Sequence, residues 1–202
     1  MKVYKIYPKG FASNTYAVTA DGKSCIHVDC AQERVAEECR RLELKPVAVL
    51  LTHGHYDHIG GCGALFESGA EIYCGRDEDK LIFSDANRAI FHGITIPHFE
   101  IKRTLRDGER LLIAGLDIRV VATPGHTAGG VSYIIGDSLF TGDTLFFESV
   151  GRTDLETGSA VQLVSSVKKL YSLEGDYRVY CGHGEDTTLS HERAFNPYVR
   201  MQ

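Results

Sequence analysis

The sequence lacks any apolar run long enough to cross a membrane and any cluster of Lys and Arg residues. A membrane-spanning helix needs about 20 consecutive apolar residues, so no membrane partner is expected. A formal net charge of −5 without a basic run argues against nucleic acid or an anionic lipid surface as the main partner. The opening residues, MKVYKIYPKG, lack the pattern of a secretory signal peptide, which favours a cytoplasmic setting.

The six Cys residues include no CxxC pair, so a structural zinc site built from cysteines is not expected. A chain of 202 residues can bury a full core without a disulfide framework. Free thiols in a reducing compartment are therefore the expected state. The length of 202 residues predicts a single domain over residues 1–202, and 43% hydrophobic and 24% charged residues are the balance of an ordinary globular protein.

Alternating and continuous apolar segments predict strands and helices mixed along the whole chain. The predicted strands are Val3–Tyr7, Asn14–Thr19, Ser24–Val28, Val47–Thr52, Glu71–Tyr73, Arg103–Leu105, Arg110–Ile113, Asp117–Ala122, Val131–Ile135, Ser138–Phe140 and Arg178–Cys181. The predicted helices are Ala31–Leu44, ended by Lys45-Pro46, a short one at Ala64-Leu65, Asp77–Phe83 and Ser159–Leu170. This order fits two sheets faced by helices.

The densest polar motif is THGHYDH at residues 52–58, directly after a predicted buried strand. Imidazole and carboxylate groups together suit zinc, iron or manganese. In an extended chain His53, His55 and Asp57 share one face, and His58 points away. A tight turn is therefore expected inside the motif, and it would divide the ligands between two ions. The alternative interpretation is a polar loop that carries histidines by chance.

Three later segments repeat this design, each with a polar residue on a loop after a predicted strand. They contain His126, Asp143 and His183, and each of these residues is preceded by Gly. Glycine lets the backbone approach an ion closely. A single His or Asp after a strand is more often a satisfied polar group or a cap, but four such segments together predict one metal centre.

The order H-x-H-x-D-H, Pro-Gly-His-Thr, Gly-Asp-Thr and Gly-His resembles the signature of the metallo-β-lactamase superfamily over nearly the whole chain. The resemblance implies an α+β fold, a four-layer αβ/βα sandwich with the site at one edge of the two sheets. It also implies a ligand set. The first ion would be held by His53, His55 and His126, the second by Asp57, His58 and His183, and Asp143 would bridge both.

The β-lactamases of this superfamily often replace the bridging Asp with Cys, or His58 with Arg. This chain has neither change and therefore looks like the glyoxalase II branch. Its segment Gly151-Arg152-Thr153-Asp154 is similar to compact glyoxalase II-like hydrolases and also to persulfide dioxygenases. The resemblance makes Arg152 a substrate-binding residue, whereas a structural salt bridge to Asp154 or Glu148 is the alternative.

Two departures from glyoxalase II proper affect substrate recognition. That enzyme has Tyr where this chain has Asp154 and Glu185, and a basic helical domain that has no counterpart after His183. We therefore expect modest discrimination between the thiol portions of substrates. The aromatic residues Tyr56, Phe146 and Phe147 are candidates for shaping the pocket, and packing in the core is the alternative for the two Phe residues.

These observations predict a metal-dependent hydrolase of small thioesters such as S-acyl-glutathione, acting through a metal-bound hydroxide. The expected cofactor is zinc, as one or two ions, and iron or manganese also suits the ligands. Asp57 is the expected catalytic residue because its second oxygen could orient the hydroxide or take its proton. The alternative is a mononuclear iron persulfide dioxygenase that uses His53, His55 and coordination of the Asp143 type. The expected partner in either case is a small-molecule substrate.

Overall fold

The structure is a computed structural model that describes residues 1–10 and 12–200. Its strands in that range are β1 Lys2–Ile6, β2 Thr15–Thr19, β3 Ser24–Val28, β4 Lys45–Leu50, β5 Glu71–Gly75, β6 Ile101–Leu105, β7 Arg110–Ile113, β8 Leu116–Ala122, β9 Val131–Ile135, β10 Ser138–Gly142, β11 Leu145–Phe146, β12 Ser149–Val150, β13 Arg178–Cys181 and β14 Thr187–Thr188. Its helices are α1 Arg34–Arg41, α2 Tyr56–Ile59, α3 Cys62–Glu67, α4 Glu78–Ile82, α5 Ala160–Tyr171 and α6 Leu189–Phe195. Two short 3-10 turns, Asp85–Asn87 and Ala89–His92, follow α4.

The strands form two six-stranded sheets and one short hairpin. The first sheet has the order β1-β2-β3-β4-β5-β6, and its strands from β3 to β6 are parallel. The second has the order β14-β13-β10-β9-β8-β7 and is antiparallel except for the pair β10 and β13. The hairpin β11–β12 lies outside both sheets. Consequently β8, β10 and β13 run in one direction, and their carboxyl ends share one edge.

Apolar residues from adjacent positions enter different layers of the core. On β4, Val49 packs under α1 and α3, whereas Leu50 packs between the two sheets. This follows from the two-residue period of a strand, which sends neighbouring side chains to opposite faces. Burying each such side chain stabilises the fold by about 1.5–3 kcal/mol. A third apolar cluster, including Leu139 and Val167, joins the second sheet to α5.

The three clusters define four layers, helix, sheet, sheet and helix, so the predicted αβ/βα sandwich is confirmed. In the part of the chain that the structure describes, no helix has the length and apolar character of a membrane span. All six cysteines are buried and free of disulfides.

Several element boundaries differ from the sequence-based expectation. The predicted helix Ala31–Leu44 is shorter, Arg34–Arg41, because Glu43 takes a left-handed conformation (φ 56°) that stops helical hydrogen bonding. The pair Lys45-Pro46 begins β4 instead of ending the helix. Helix α6 was not predicted, although Thr188 caps it by accepting a hydrogen bond from the His191 amide.

Candidate metal centre

The polar segments singled out in the sequence meet at one edge of the two sheets. They follow β4 in the first sheet and β8, β10 and β13 in the second. Main-chain hydrogen bonds tie these loops together: Val131 N donates to Thr52 O at 2.9 Å, and Gly182 N donates to Gly142 O at 2.9 Å. The seven candidate ligands are therefore held on backbone that is itself anchored.

The first group consists of His53, His55 and His126, whose ligating atoms all lie within 4.8 Å of one another. His55 Nδ1 and His126 Nε2 are 2.9 Å apart. The outward nitrogens fix two of the rings: His53 Nδ1 lies 3.1 Å from Thr52 Oγ1, and His126 Nδ1 lies 2.8 Å from Arg152 O. Such contacts orient a ring so that its other nitrogen faces a metal.

The second group consists of Asp57, His58 and His183, again within 4.8 Å of one another. His183 Nε2 lies 3.1 Å from Asp57 Oδ2, and His58 Nε2 lies 3.9 Å from the same oxygen. The helical turn α2 begins at Tyr56 and brings His58 back toward the other ligands, with its ring centroid 4.0 Å from that of His53. This is the tight turn expected inside the motif, and it places the motif's residues in two groups.

Asp143 lies between the two groups. Its Oδ1 is 3.3 Å from His58 Nε2, and its Oδ2 is 3.6 Å from both His126 Nε2 and His183 Nε2. Burial would raise the pKa of Asp143, but the facing His58, His126 and His183 rings outweigh it and hold the pKa well below its usual range. An ionised carboxylate in this position can contact an ion in either group.

Polar atoms of three ligands are buried without a hydrogen-bond partner among the described residues: His53 Nε2, His58 Nε2 and Asp143 Oδ1. An unpaired buried polar atom costs about 1–3 kcal/mol, and a bound cation removes that cost for the atoms that face it. Burial also lowers the pKa of His53 well below its usual value and that of His55 to about 4, which favours the neutral, ligating form. The donors therefore fit divalent metal ions.

Asp29 is a positioning residue that the sequence analysis missed. Its Oδ2 accepts from Thr52 Oγ1 at 2.8 Å and lies 2.8 Å from His58 Nδ1, while its Oδ1 accepts from Thr52 N at 2.8 Å. Asp29 follows β3, and the parallel pairing of β3 with β4 brings it beside Thr52. The signal in the sequence was a lone acidic residue directly after an apolar strand.

Glu78 is a second positioning residue that the sequence analysis missed. It holds the loop of the motif at residues 52–58. The buried carboxylate accepts hydrogen bonds from Gly54 N at 2.9 Å and from Thr127 Oγ1 at 3.0 Å. Burial raises its pKa to about 7. Glu78 thereby joins the loop that carries His53 and His55 to the loop that carries His126.

The glycines before the three later ligands have a different role from the one expected. A side chain at Gly125 would collide with the Leu163 backbone of α5, and one at Gly142 would collide with the Thr52 side chain. Only Gly182 lies against the donors, since a Cβ there would meet Asp143 Oδ1 and approach His58 Cε1 to 2.9 Å. Two of the three glycines therefore serve packing between chain segments.

A cavity of about 460 Å³ opens over the donors. Five of the seven candidate ligands line it, and its walls include Tyr56, Arg88, His92, Phe146, Arg152 and Leu155. Tyr56 and His92 stack with ring centroids 4.5 Å apart. Phe147, expected in the pocket, is 43% exposed and instead stacks on His191. That expectation was wrong, whereas Tyr56 and Phe146 lie where they were expected.

Two arginines from different loops reach the cavity. Arg152 forms a bidentate ion pair with Asp154, both contacts at 2.7 Å, and Arg88 lies 3.1 Å from Glu156. The sequence offered substrate binding and a salt bridge as alternatives for Arg152, and the structure shows the salt bridge on a residue that also lines the cavity. Arg88 was not predicted, because its position follows from a left-handed turn (φ 73°).

Comparison with known proteins places the chain among metal-dependent enzymes. The family model of the metallo-beta-lactamase superfamily matches residues 8–183. Hydroxyacylglutathione hydrolase GloC of Haemophilus influenzae is 33% identical over 211 residues, which cover 100% of both chains.

Two solved structures are also similar over most of their length. The BLEG-1 B3 metallo-beta-lactamase has a TM-score of 0.91 at 31% identity, covering 98% of this chain and 99% of its own. TTHA1623, solved in a di-iron-bound form, has a TM-score of 0.87 at 32% identity, covering 98% of this chain and 100% of its own.

Proposed function

The chain belongs to the metallo-β-lactamase superfamily, and we propose that it is a metal-dependent hydrolase of small thioesters such as S-acyl-glutathione. The observation that carries the proposal is the convergence of seven His and Asp donors, in two groups joined by Asp143, beneath one cavity. More donors are present than one ion needs. The arrangement therefore supports a two-ion hydrolytic centre.

In this proposal His53, His55 and His126 would hold the first ion, Asp57, His58 and His183 would hold the second, and Asp143 would serve both. Zinc is the proposed metal, and iron or manganese also suits nitrogen and carboxylate ligands. Bound divalent ions supply Lewis acidity, which polarises a substrate carbonyl and makes water a nucleophile at neutral pH.

Asp57 has the position of a proton acceptor in this site. It lines the cavity, and its Oδ2 faces His183 at 3.1 Å. Burial would raise its pKa, but His58 and His183 overcome that effect and lower it. The carboxylate is consequently ionised at neutral pH, so it can orient an attacking water or hold its proton.

Arg152 and Arg88 are the proposed anion-binding residues. Each is paired with an acidic partner that is about half exposed or more, with side-chain exposures of 67% for Asp154 and 49% for Glu156. Exposed ion pairs contribute only about 0–1 kcal/mol, so a substrate carboxylate can replace either partner at small cost. This supports a substrate with carboxylates, such as a glutathione thioester, in a cavity sized for a small molecule.

The names of the relatives indicate more than one reaction, so the choice of a thioester as substrate is based on individual residues of this chain. GloC carries the name hydroxyacylglutathione hydrolase, whereas BLEG-1 is described as a metallo-beta-lactamase. We favour thioesters because the shared ligand is Asp143 rather than Cys and because His58 is not Arg. We propose that the protein acts in the cytoplasm, because a reducing compartment keeps its six buried cysteines as free thiols.

A second candidate is an iron enzyme that oxidises a persulfide with oxygen. The observation behind it concerns the identity of the metal alone: TTHA1623, 32% identical, was solved with iron, although with two ions rather than one. In that case a single iron held by the first group and Asp143 is sufficient, and the second group would have no essential role.

The test is to load metal-free protein separately with zinc and with iron and to assay three reactions. They are hydrolysis of a glutathione thioester, hydrolysis of a β-lactam, and oxygen uptake with glutathione persulfide. We expect thioester hydrolysis to be the fastest reaction of the zinc form. Oxygen uptake by the iron form without thioester turnover by either form would replace the hydrolase proposal with the oxygenase. Faster lactam hydrolysis would overturn the choice of substrate.

A further inference from the structure

A second set of donor side chains lies in the helix layer above the first sheet, away from the metal centre. Cys25 and His27 are two residues apart on β3, so they share the face that packs under α1. Cys39 comes from the buried side of α1 and meets them. The three side chains have exposures of 0%, 0% and 1%.

The donor atoms of these residues are close enough to share a ligand. The thiol sulfurs of Cys25 and Cys39 and a ring nitrogen of His27 all lie within 4.8 Å of one another. His27 Nε2 is 3.2 Å from Cys39 Sγ. The thiolate is the form of cysteine that binds metals, and the Cys25 and Cys39 thiols face one another within this group.

A simple core contact does not account for the group completely. The ring of His27 is fully buried, its Nε2 faces only the Cys39 thiol, a weak hydrogen-bonding group, and its Nδ1 has no hydrogen-bond partner among the described residues. The surrounding cluster is apolar and includes Val35 and Val49, and a polar side chain placed there has a desolvation cost that an aliphatic one would avoid. The contacts described do not explain why three metal-binding side chains lie together in one apolar layer.

We propose that Cys25, His27 and Cys39 form a separate metal site for a thiophilic divalent ion such as zinc. Two thiolates and a neutral imidazole cancel the charge of a divalent ion, so the complex is uncharged in its apolar surroundings. Donors around one zinc ion lie about 3.5–3.8 Å apart, and the observed separations need only small side-chain shifts to reach this. Binding releases the thiol protons of Cys25 and Cys39 to solvent.

The role expected of this site follows from the elements that it connects and from its number of protein donors. It joins α1 to β3, and β3 leads directly into Asp29, which orients His58 in the metal centre. With three protein donors it is one short of a closed structural zinc site, so we expect weaker binding than such sites show. The absence of a CxxC pair did not exclude it, because the donors come from one strand and one helix.

The test uses cobalt as a spectroscopic substitute for zinc. The full chain is produced or refolded with Co²⁺ under reducing conditions, so that the ion enters before the core closes. A thiolate ligand gives cobalt a near-ultraviolet charge-transfer band. The seven donors of the metal centre include no thiol and therefore do not give this band. We expect this band in the wild type, its loss in Cys39→Ser, and one metal ion fewer per chain in that variant.

The matched control is Cys74→Ser, which changes another fully buried cysteine of the same apolar cluster that is not in the group. It should keep the band and the ion count. The proposal would be overturned by a wild type without the band, by a Cys39→Ser protein that keeps it, or by a Cys25–Cys39 disulfide that persists in protein isolated under reducing conditions. If Cys39→Ser fails to fold, zinc-edge X-ray absorption of the wild type decides, through sulfur neighbours at about 2.3 Å or none. Neither readout depends on the hydrolase activity.

Discussion

The two ligand groups of the metal centre differ in their burial. In the first group His53, His55 and His126 are only 2%, 4% and 5% exposed. In the second group His58 is fully buried, but the side chain of His183 is 37% exposed and that of Asp57 is 15% exposed. The first, buried group is a preformed cage that needs little reorganisation to hold an ion. The second, open group has two members that are more accessible from the cavity, which His55 and His126 of the first group also line.

This difference predicts one tight and one weaker metal site, with Asp143 as the element they share. A buried, preorganised group loses less side-chain freedom on binding than an exposed one.

Asp143→Ala should weaken metal binding in both groups and reduce thioester hydrolysis by more than about 100-fold, beyond the loss typical of an outer-shell partner. The reason is that Asp143 faces donors of both groups. Metal content by mass spectrometry and the hydrolysis rate check this, with Asp117→Ala on the exposed side of β8 as control. Full occupancy of both sites in Asp143→Ala would show that the carboxylate is not shared.

His183→Ala should remove the weaker ion and leave the tight one, because His183 contributes only to the open group. Metal titration should show one ion fewer per chain than the wild type, with the high-affinity site unchanged, and hydrolysis should fall strongly. His53→Ala is the matched comparison and should weaken the tight site instead. If the two variants lose the same ion, the division into two groups is incorrect.

Asp29→Asn should lower affinity in the open group by about 10–100-fold, the effect expected of a residue that orients a ligand. Asn tolerates the left-handed conformation of this position (φ 57°) and keeps an acceptor for Thr52 N. However, its amide N–H would face His58 Nδ1 and favour the tautomer protonated at Nε2, which cannot ligate. The readout is the zinc affinity of the weaker site, and an unchanged value would limit Asp29 to a structural role.

Arg152→Ala should raise KM for a carboxylate-bearing thioester by up to about tenfold, or 1.4 kcal/mol, with little change in kcat. A cation at the cavity wall holds substrate and transition state alike, which is uniform binding. Arg88→Ala should act in the same direction. Arg110→Ala, which breaks a remote exposed ion pair with Asp117, is the control. A less stable Arg152 variant with unchanged kinetics would identify a purely structural salt bridge.

The sequence predicted most strands and the longer helices because their apolar periodicity is local. It also predicted all seven donors that the structure brings together, since each follows a strand and the resemblance gave their order. Asp29 and Glu78 were missed because their roles depend on pairing between distant segments, β3 beside β4 and α4 beside the loop of Thr127.

Other misses have the same physical origin. Arg88 reaches the cavity only through a left-handed turn that no pattern in its neighbourhood indicates. The cysteine and histidine group was hidden because strand period and helix packing, rather than short spacing along the chain, bring Cys25 and Cys39 together. Sequence patterns predicted elements and individual ligands, whereas contacts between elements required the structure.

The most direct test of the two-ion account is a stepwise titration of metal-free protein with zinc. It is carried out on the Cys39→Ser variant, so that an ion held by Cys25, His27 and Cys39 is not counted. Thioester hydrolysis is followed at each addition. The account predicts tight uptake of a first ion, weaker uptake of a second, and a rate that reaches its maximum only when both are bound and vanishes with a strong chelator. A full rate at one bound ion, or no thioester turnover at any loading, would contradict it.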